Sequence, residues 1–299
     1  MIVVIPRRDR ADGQCTNCGA VVGDEGYCLT CGQSRAEPDR DEASLGGVAM
    51  VTDRGVEHAR NEDAGAVGIL APPGGGGPHA IAIVVCDGVS TSINPQVASG
   101  AAARAGVTAM LDALSGSQDA VAAMYAGLAG AAAAPTAGPG IPGSCTFTAV
   151  IVRPGQGSVE VTVGNVGDSR SYWLPDPPGV ARQLTVDDSL AQELIAAGAA
   201  PQSEAVLRGA HTLTHWLGAD AEPEPWTEHS VQTLTLTGRG ALVVCSDGLW
   251  NYLPEPAALR AYCTGTDAMS AARALTQHAL DAGGADNITV AVFPIGTAS

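Results

Sequence analysis

Six acidic residues stand where a charged side chain is costly. Asp87 closes the apolar run IVVC, and Asp247 follows VVCS. Glu62 and Asp63 precede the strand-like run AGAV, Asp168 lies between two such runs in VGNVGDSRSYW, and Asp286 precedes NITVAV. A carboxylate beside a buried strand costs free energy unless it is paired or bound to a cation. Partners are scarce: 31 Asp and Glu face 15 basic residues, and every one of the 15 is arginine. Carboxylates arriving from several places in one chain suit a hard divalent cation, Mg²⁺ or Mn²⁺, held by oxygen donors. Gly88 and Gly248 directly follow two of these aspartates. Glycine there lets the backbone turn and bring a carbonyl toward the ion. Asp-Gly is also a hairpin signal, but the segments that follow, VSTSINPQ and LWNYLPEP, lead into helix instead of a second strand.

A second group is thiol-based. Cys15 and Cys18 form one C-x2-C pair and Cys28 and Cys31 another, each followed directly by a glycine. Four thiolates in two such turns suit tetrahedral Zn²⁺ with no open position, a structural site whose metal supplies the folding energy of a very short segment. A redox pair or disulfides is the competing reading. The stretch resembles a short zinc ribbon. Cys86, Cys145, Cys245 and Cys263 are scattered among apolar or small residues and read as buried thiols.

The elements that must hold these groups are legible as Val/Ile/Thr-rich runs bounded by Gly, Pro or Asp. They fall at 47–52, 65–70, 80–86, 146–153, 158–164, 169–174, 231–236, 241–246 and 288–294. Ala-rich stretches at 95–115 and 118–134 carry apolar residues at helical spacing, and 188–197, 254–263 and 267–282 are further helices. Strands come in groups separated by helices, an α+β pattern. The expected architecture is a four-layer α/β-sandwich: a central antiparallel β-sandwich flanked by helices, plus the small N-terminal zinc ribbon. The charged, proline-bearing run 34–44 reads as a linker between a zinc-ribbon module at 1–33 and a main domain at 45–296.

Composition narrows the chemistry. With 45% hydrophobic and 15% charged residues the 299-residue chain can bury a core of Val, Leu, Ile and Ala. A net charge of −16 provides no basic footprint for nucleic acid. The absence of lysine removes P-loop, Schiff-base and Ser-Lys chemistry. No apolar run reaches the roughly 20 residues a membrane helix needs, and in MIVVIPRRDR the charges follow the apolar piece, the reverse of a secretory signal. The expected setting is cytoplasmic. None of the four scattered cysteines has an arginine six positions on, so a cysteine-based phosphate loop is absent.

In chain order, DRGVEHARNEDAGAV, VVCDGVS, GSCTFTAVIV, VGNVGDSRSYWL, LTVDDSLAQEL, LTHWLG, VVCSDGLWNYL and ADNITVAVF resemble the motifs of the metal-dependent Ser/Thr protein phosphatases, the PPM or type 2C family, over residues 46–295. The resemblance implies two Mn²⁺ or Mg²⁺ ions and a third, weaker one. Asp87 would bridge two metals, with the Gly88 carbonyl on one. Asp247 and Asp286 would complete the other, and the Glu62–Asp63 pair would supply a ligand directly or through water. Asp168 would help hold the third, and residues 186–210 match a mobile flap. The implied reaction is hydrolysis of phosphoserine and phosphothreonine by metal-activated water, on proteins phosphorylated by Ser/Thr kinases.

Two positions depart from the pattern. His58 stands where the family commonly has a phosphate-binding arginine, with Arg60 and Arg54 nearby, and Val89 stands where some members carry a histidine acid. Arginine holds phosphate bidentately and histidine offers one donor, so His58 and Arg60 are both candidates for phosphate binding. A signalling protein that uses the fold only for binding, and a hydrolase of small phosphate esters, are the alternatives. Asp87, Asp247 and Asp286 together favour the active enzyme.

Overall fold

Among the described residues twelve strands form two antiparallel sheets, and their registers decide where the acidic residues meet. In the first sheet the order is β1 (Ile2–Ile5), β4 (Ala64–Leu70), β5 (Ala80–Cys86), β7 (Phe147–Pro154), β8 (Val159–Val166) and β12 (Val231–Leu236). In the second it is β10 (Arg182–Gln183), β9 (Arg170–Pro175), β13 (Gly240–Cys245), β14 (Ile288–Ile295), β3 (Val48–Asp53) and β2 (Arg40–Leu45). A two-stranded piece joins β6 (Ser144–Cys145) to β11 (Leu217–Gly218). This computed structural model describes residues 1–7, 20, 30–31, 40–71, 79–136, 142–155 and 157–296.

Ala64 pairs with Cys86, so the residues before β4 and after β5 share one sheet end. Cys245 pairs with both Val290 and Arg170, which sets the residues flanking β13, β14 and β9 at one end of the other sheet. Those two ends are stitched together. The Ser246 hydroxyl donates to the Asp63 carboxylate at 2.7 Å, and the Glu62 amide donates to the Asn287 side chain at 2.7 Å.

Three apolar clusters stabilise this arrangement. One lies between the sheets and is built from β-branched and long aliphatic side chains such as Val67, Ile83, Val150, Leu242 and Val244. A second joins the outer face of the first sheet to α1 (Pro95–Ser115) and α2 (Ala120–Ala133). A third joins the second sheet to α6 (Pro256–Cys263) and α7 (Ala268–Asp281). The helix ends follow local chemistry. Pro95 starts α1, where its missing N–H costs nothing. Asp119 and Asp267 cap α2 and α7 by accepting from the amides of Ala122 and Ser270. Cys86, Cys145 and Cys245 are buried free thiols, as expected, whereas Cys263, also free, is only half-buried.

The N-terminal boundary differs from the sequence reading. Residues 40–44, expected in the linker 34–44, belong to β2, and residues 2–5 pair with β4 in the main domain. The run RDEASL is charged, but its charges are partnered from afar. Asp41 accepts from the Arg7 amide at 2.7 Å and from Arg7 Nε at 3.0 Å, and Glu42 accepts from Arg273 at 2.6 and 2.8 Å. Burial pushes the Asp41 carboxyl up, but the Arg7 hydrogen bonds outweigh it and hold it below the usual range. Such a depressed carboxyl stabilises the fold above its unfolded pKa, and that contribution is lost as pH falls through the folded value. Asp41→Asn is expected to cost about 1–2 kcal/mol, since the exposed guanidinium is partly screened. Chemical denaturation at pH 7 and at pH 3 checks this: the difference between variant and parent shrinks in acid. Of the zinc-ribbon cysteines, Cys15, Cys18 and Cys28 lie outside the described residues, and Cys31 sits on an exposed turn.

Candidate metal centre

Asp87, Gly88, Asp168, Asp247 and Asp286 line one cavity of ≈ 370 Å³ where the two sheet ends meet. The four aspartates come from different strand ends, and each strand is anchored in a buried cluster, so the carboxylates sit on rigid mounts. Asp87 continues β5, and its amide donates to the Thr146 hydroxyl at 2.9 Å. Asp247 opens the four-residue helix α5 (Asp247–Trp250), so VVCSDGLW runs from strand to helix with no hairpin. Asp168 lies in the β8–β9 turn, and its carbonyl accepts from the Trp250 indole at 2.9 Å.

Glu62 and Asp63 are buried and are not part of that lining. The Ser90 hydroxyl donates to one Glu62 oxygen at 2.7 Å and Arg60 Nε donates to the other at 3.0 Å. Nor do His58 and Arg60 line the cavity. His58 Nε2 lies 3.1 Å from an Asp286 oxygen, and the Arg54 guanidinium donates to the His58 carbonyl.

The electrostatics are those of like charges held together. The Asp87 carboxyl is driven well above the usual range by burial and then by Asp63, Asp247, Asp286 and Asp168. Asp168 is pushed up to about 8 by burial and by Asp247. Burial raises Asp63 to about 7 although Ser246 and Thr289 donate to it. Asp286 is raised by burial and by Asp247. The buried Oδ1 of Asp247 has no hydrogen-bond partner among the described residues. Oxygen donors that repel one another, one of them orphaned, with no amine among them, are a donor set that a hard divalent cation satisfies. Mn²⁺ or Mg²⁺ therefore fits these residues.

Glycine's role here differs from the expected turn. Neither Gly88 nor Gly248 has a positive φ. A Cβ on Gly88 would lie 2.7 Å from the Glu62 carbonyl oxygen, and one on Gly248 would lie 2.0 Å from the Asn287 carbonyl oxygen. Both positions are glycine because two backbones touch there.

Sequence reasoning missed His211, Trp250 and Arg170. His211 follows α4 (Glu204–Gly209) in the segment that also contains α3 (Leu190–Ala196). Its ring stacks on Trp250 with centroids 5.7 Å apart and planes 5° apart. Its Nδ1 lies 3.7 Å from an Asp247 oxygen, and Asp247 raises its pKa against the opposing effect of burial. Arg170 places its guanidinium 3.7 Å from the Trp250 ring centroid while Asp187 accepts from it at 2.7 and 3.0 Å. Trp250 was visible in VVCSDGLW, three residues after Asp247. Nothing around His211 in RGAHTLTH signals a site.

No family model matches the chain. It is 33% identical over 148 residues to the serine/threonine phosphatase stp of Listeria innocua, spanning 48% of this chain and 54% of that protein. It is 31% identical over 255 residues to the serine/threonine protein phosphatase PstP of Mycobacterium tuberculosis, spanning 83% of this chain and 44% of PstP. The chain thus spans about half the length of the curated relatives it matches. The structure of the PPM Ser-Thr phosphatase MsPP from Mycobacterium smegmatis superposes with a TM-score of 0.60 at 28% identity, covering 85% of this chain and 100% of that one. The catalytic domain of PstP, solved with 2 manganese ions, shares the fold with a TM-score of 0.57 at 23% identity, covering 83% and 98%.

Proposed function

We infer that the chain belongs to the PPM-type Ser/Thr phosphatases and is a metal-dependent enzyme that hydrolyses phosphoserine and phosphothreonine in proteins. The observation that carries this is the convergence of Asp87, Asp168, Asp247 and Asp286 on one cavity that no amine enters. Similarity to PstP along 83% of the chain supports it. The four-layer sandwich of the family is part of this reading, as is a main domain that now starts at the N-terminal strand instead of residue 45.

Asp87 with the Gly88 carbonyl, Asp247 and Asp286 would hold two Mn²⁺ or Mg²⁺ ions, with Glu62 and Asp63 acting directly or through water and Asp168 serving a weaker third. Bound there, the ions would supply an activated water and neutralise phosphoryl charge. The chain's own part is positional. Ser246 and Thr289 orient Asp63, Ser90 and Arg60 orient Glu62, and Thr146 holds the Asp87 backbone. Phosphate binding is assigned to His58 and Arg60. The engagement of His58 by Asp286 favours a second reading, a catalytically weak signalling protein. The N-terminal cysteines Cys15, Cys18, Cys28 and Cys31 are assigned structural Zn²⁺. Among the described residues no helix is long and apolar enough to cross a membrane, and a cytoplasmic site of action on substrates of Ser/Thr kinases completes the reading.

The test is hydrolysis of a phosphothreonine peptide by the full chain with Mn²⁺, with and without chelator. Chelator-sensitive turnover is expected. Its absence rejects the enzyme in favour of the binding protein. In the same assay Arg60→Ala and His58→Ala, compared separately, assign the phosphate contact by which one raises KM.

A further inference from the structure

His211, which none of the sequence motifs contains, brings a ring nitrogen beside two of the acidic residues. One ligand atom each from Asp168, His211 and Asp247 lies within 4.8 Å of the other two. Two donors about 2.1 Å from a single ion sit no more than about 4.2 Å apart. Neighbouring donors on an octahedral ion sit closer still, about 3.0 Å apart, so sharing one ion needs the three groups to make an inward shift. The His211 side chain is free to make it, being 58% exposed. Asp247 also lines this cavity, and its buried Oδ1 has no hydrogen-bond partner among the described residues.

The surrounding backbone presents His211 deliberately to that spot. The Asp188 amide donates to the Gly167 carbonyl at 2.8 Å, and the Gly167 amide donates back to the Asp188 carboxylate at 2.9 Å. That locks the root of the 186–213 segment beside Asp168. The far side of the same segment returns to this root, with the Leu190 amide donating to the Thr212 carbonyl and the Thr214 amide to the Asp188 carbonyl, both at 2.9 Å. Between these ties His211 lies flat on Trp250, whose indole is bonded to the Asp168 backbone. The ring plane, the segment root and both carboxylates are thus referenced to one another.

We propose that His211 is a direct ligand of a divalent transition-metal ion shared with Asp168 and Asp247, and that this ion clasps the 186–213 segment over the cavity. The proposal rests on the metal-centre reading above and adds a donor to it. An imidazole among carboxylates shifts preference from Mg²⁺ toward Mn²⁺, Co²⁺ and Zn²⁺.

The experiment uses the full chain loaded with Mn²⁺ alone, read by pulsed EPR for nitrogen coupling to the ion and by titration for the number of ions bound. The parent is expected to show coupling to a directly bound imidazole. His211→Ala is expected to lose that coupling and to weaken the weakest Mn²⁺ site at least about tenfold. His211→Asp, which restores an oxygen donor, is expected to recover ion binding without the nitrogen signal. His58→Ala, the control beside Asp286, is expected to leave the signal in place. Coupling that survives His211→Ala, or Mn²⁺ bound with no nitrogen coupling in the parent, overturns the His211 assignment alone. Absence of Mn²⁺ binding in the parent overturns the metal-centre reading with it.

Discussion

Asp87→Asn is expected to lower turnover with Mn²⁺ by about 10³-fold or more, about 4 kcal/mol of transition-state stabilisation, while making the metal-free protein more stable. The two effects share one cause. Asp87 is surrounded by Asp63, Asp247, Asp286 and Asp168, all of which raise its pKa after burial does. An amide keeps the shape and the hydrogen-bonding ability, removes the repulsion, and cannot hold two cations. Thermal melts in chelator should therefore show a higher Tm for the variant. Melts in saturating Mn²⁺ should reverse the order, because only the parent gains stability from tight binding to the folded state. If the variant is less stable in chelator as well, the carboxylate is a structural group and not a metal ligand.

The same cluster fixes the pH dependence of the metal-free parent. Asp63 is raised to about 7 and Asp168 to about 8. Between about pH 4 and pH 8 the folded chain then binds more protons than the unfolded chain, so stability falls as pH rises across that window. The slope should flatten in Asp87→Asn and vanish on adding Mn²⁺. Asp41 acts in the opposite direction, and its contribution is confined to the acid end because its folded pKa is depressed.

Much of this was legible in the chain because the burial pattern is local. The helix expected at 95–115 is α1 at Pro95–Ser115, and all nine expected strands are present within one or two residues. Each is a Val/Ile-rich run ended by Gly, Pro or Asp, which propensity and pattern describe together. β2 failed for the opposite reason. RDEASL is a strand whose carboxylates find partners in Arg7 and Arg273, 34 and 231 residues away, as well as in Arg40 beside them. The acidic residues of the site were identifiable because a carboxylate beside a buried strand is anomalous wherever it stands. His211 was not, because an exposed histidine near the end of a short helix is ordinary until Trp250 and Asp247 are folded against it. Glu62 stands outside the cavity lining, and its hydrogen bond from Ser90, 28 residues on, is not visible in the chain.

Gly248→Ala is the second substitution with a large expected effect, and it separates the two explanations for the Asp-Gly phrases. If glycine served only a turn, alanine would be nearly neutral here, because φ at 248 is not positive. The close approach predicts otherwise. The added methyl would lie 2.0 Å from the Asn287 carbonyl oxygen and 3.2 Å from Ile288 Cγ1. The obstruction is backbone and cannot rotate away. Asn287 is itself pinned, since its side chain accepts from the Glu62 amide and donates to the carbonyls of Arg54 and Arg60. Overpacking against so constrained a neighbour should cost about 3 kcal/mol. The displacement that relieves it separates Asp247, on one side of the contact, from Asp286 on the other. Turnover should drop by about 10²-fold, in line with a shift of about 1 Å in a reacting site. Gly238→Ala, at a positive-φ turn with nothing near its Cβ, provides the contrast. It should cost about 1 kcal/mol and leave turnover unchanged. A near-neutral Gly248→Ala, with both stability and activity retained, would return Gly248 to an ordinary turn.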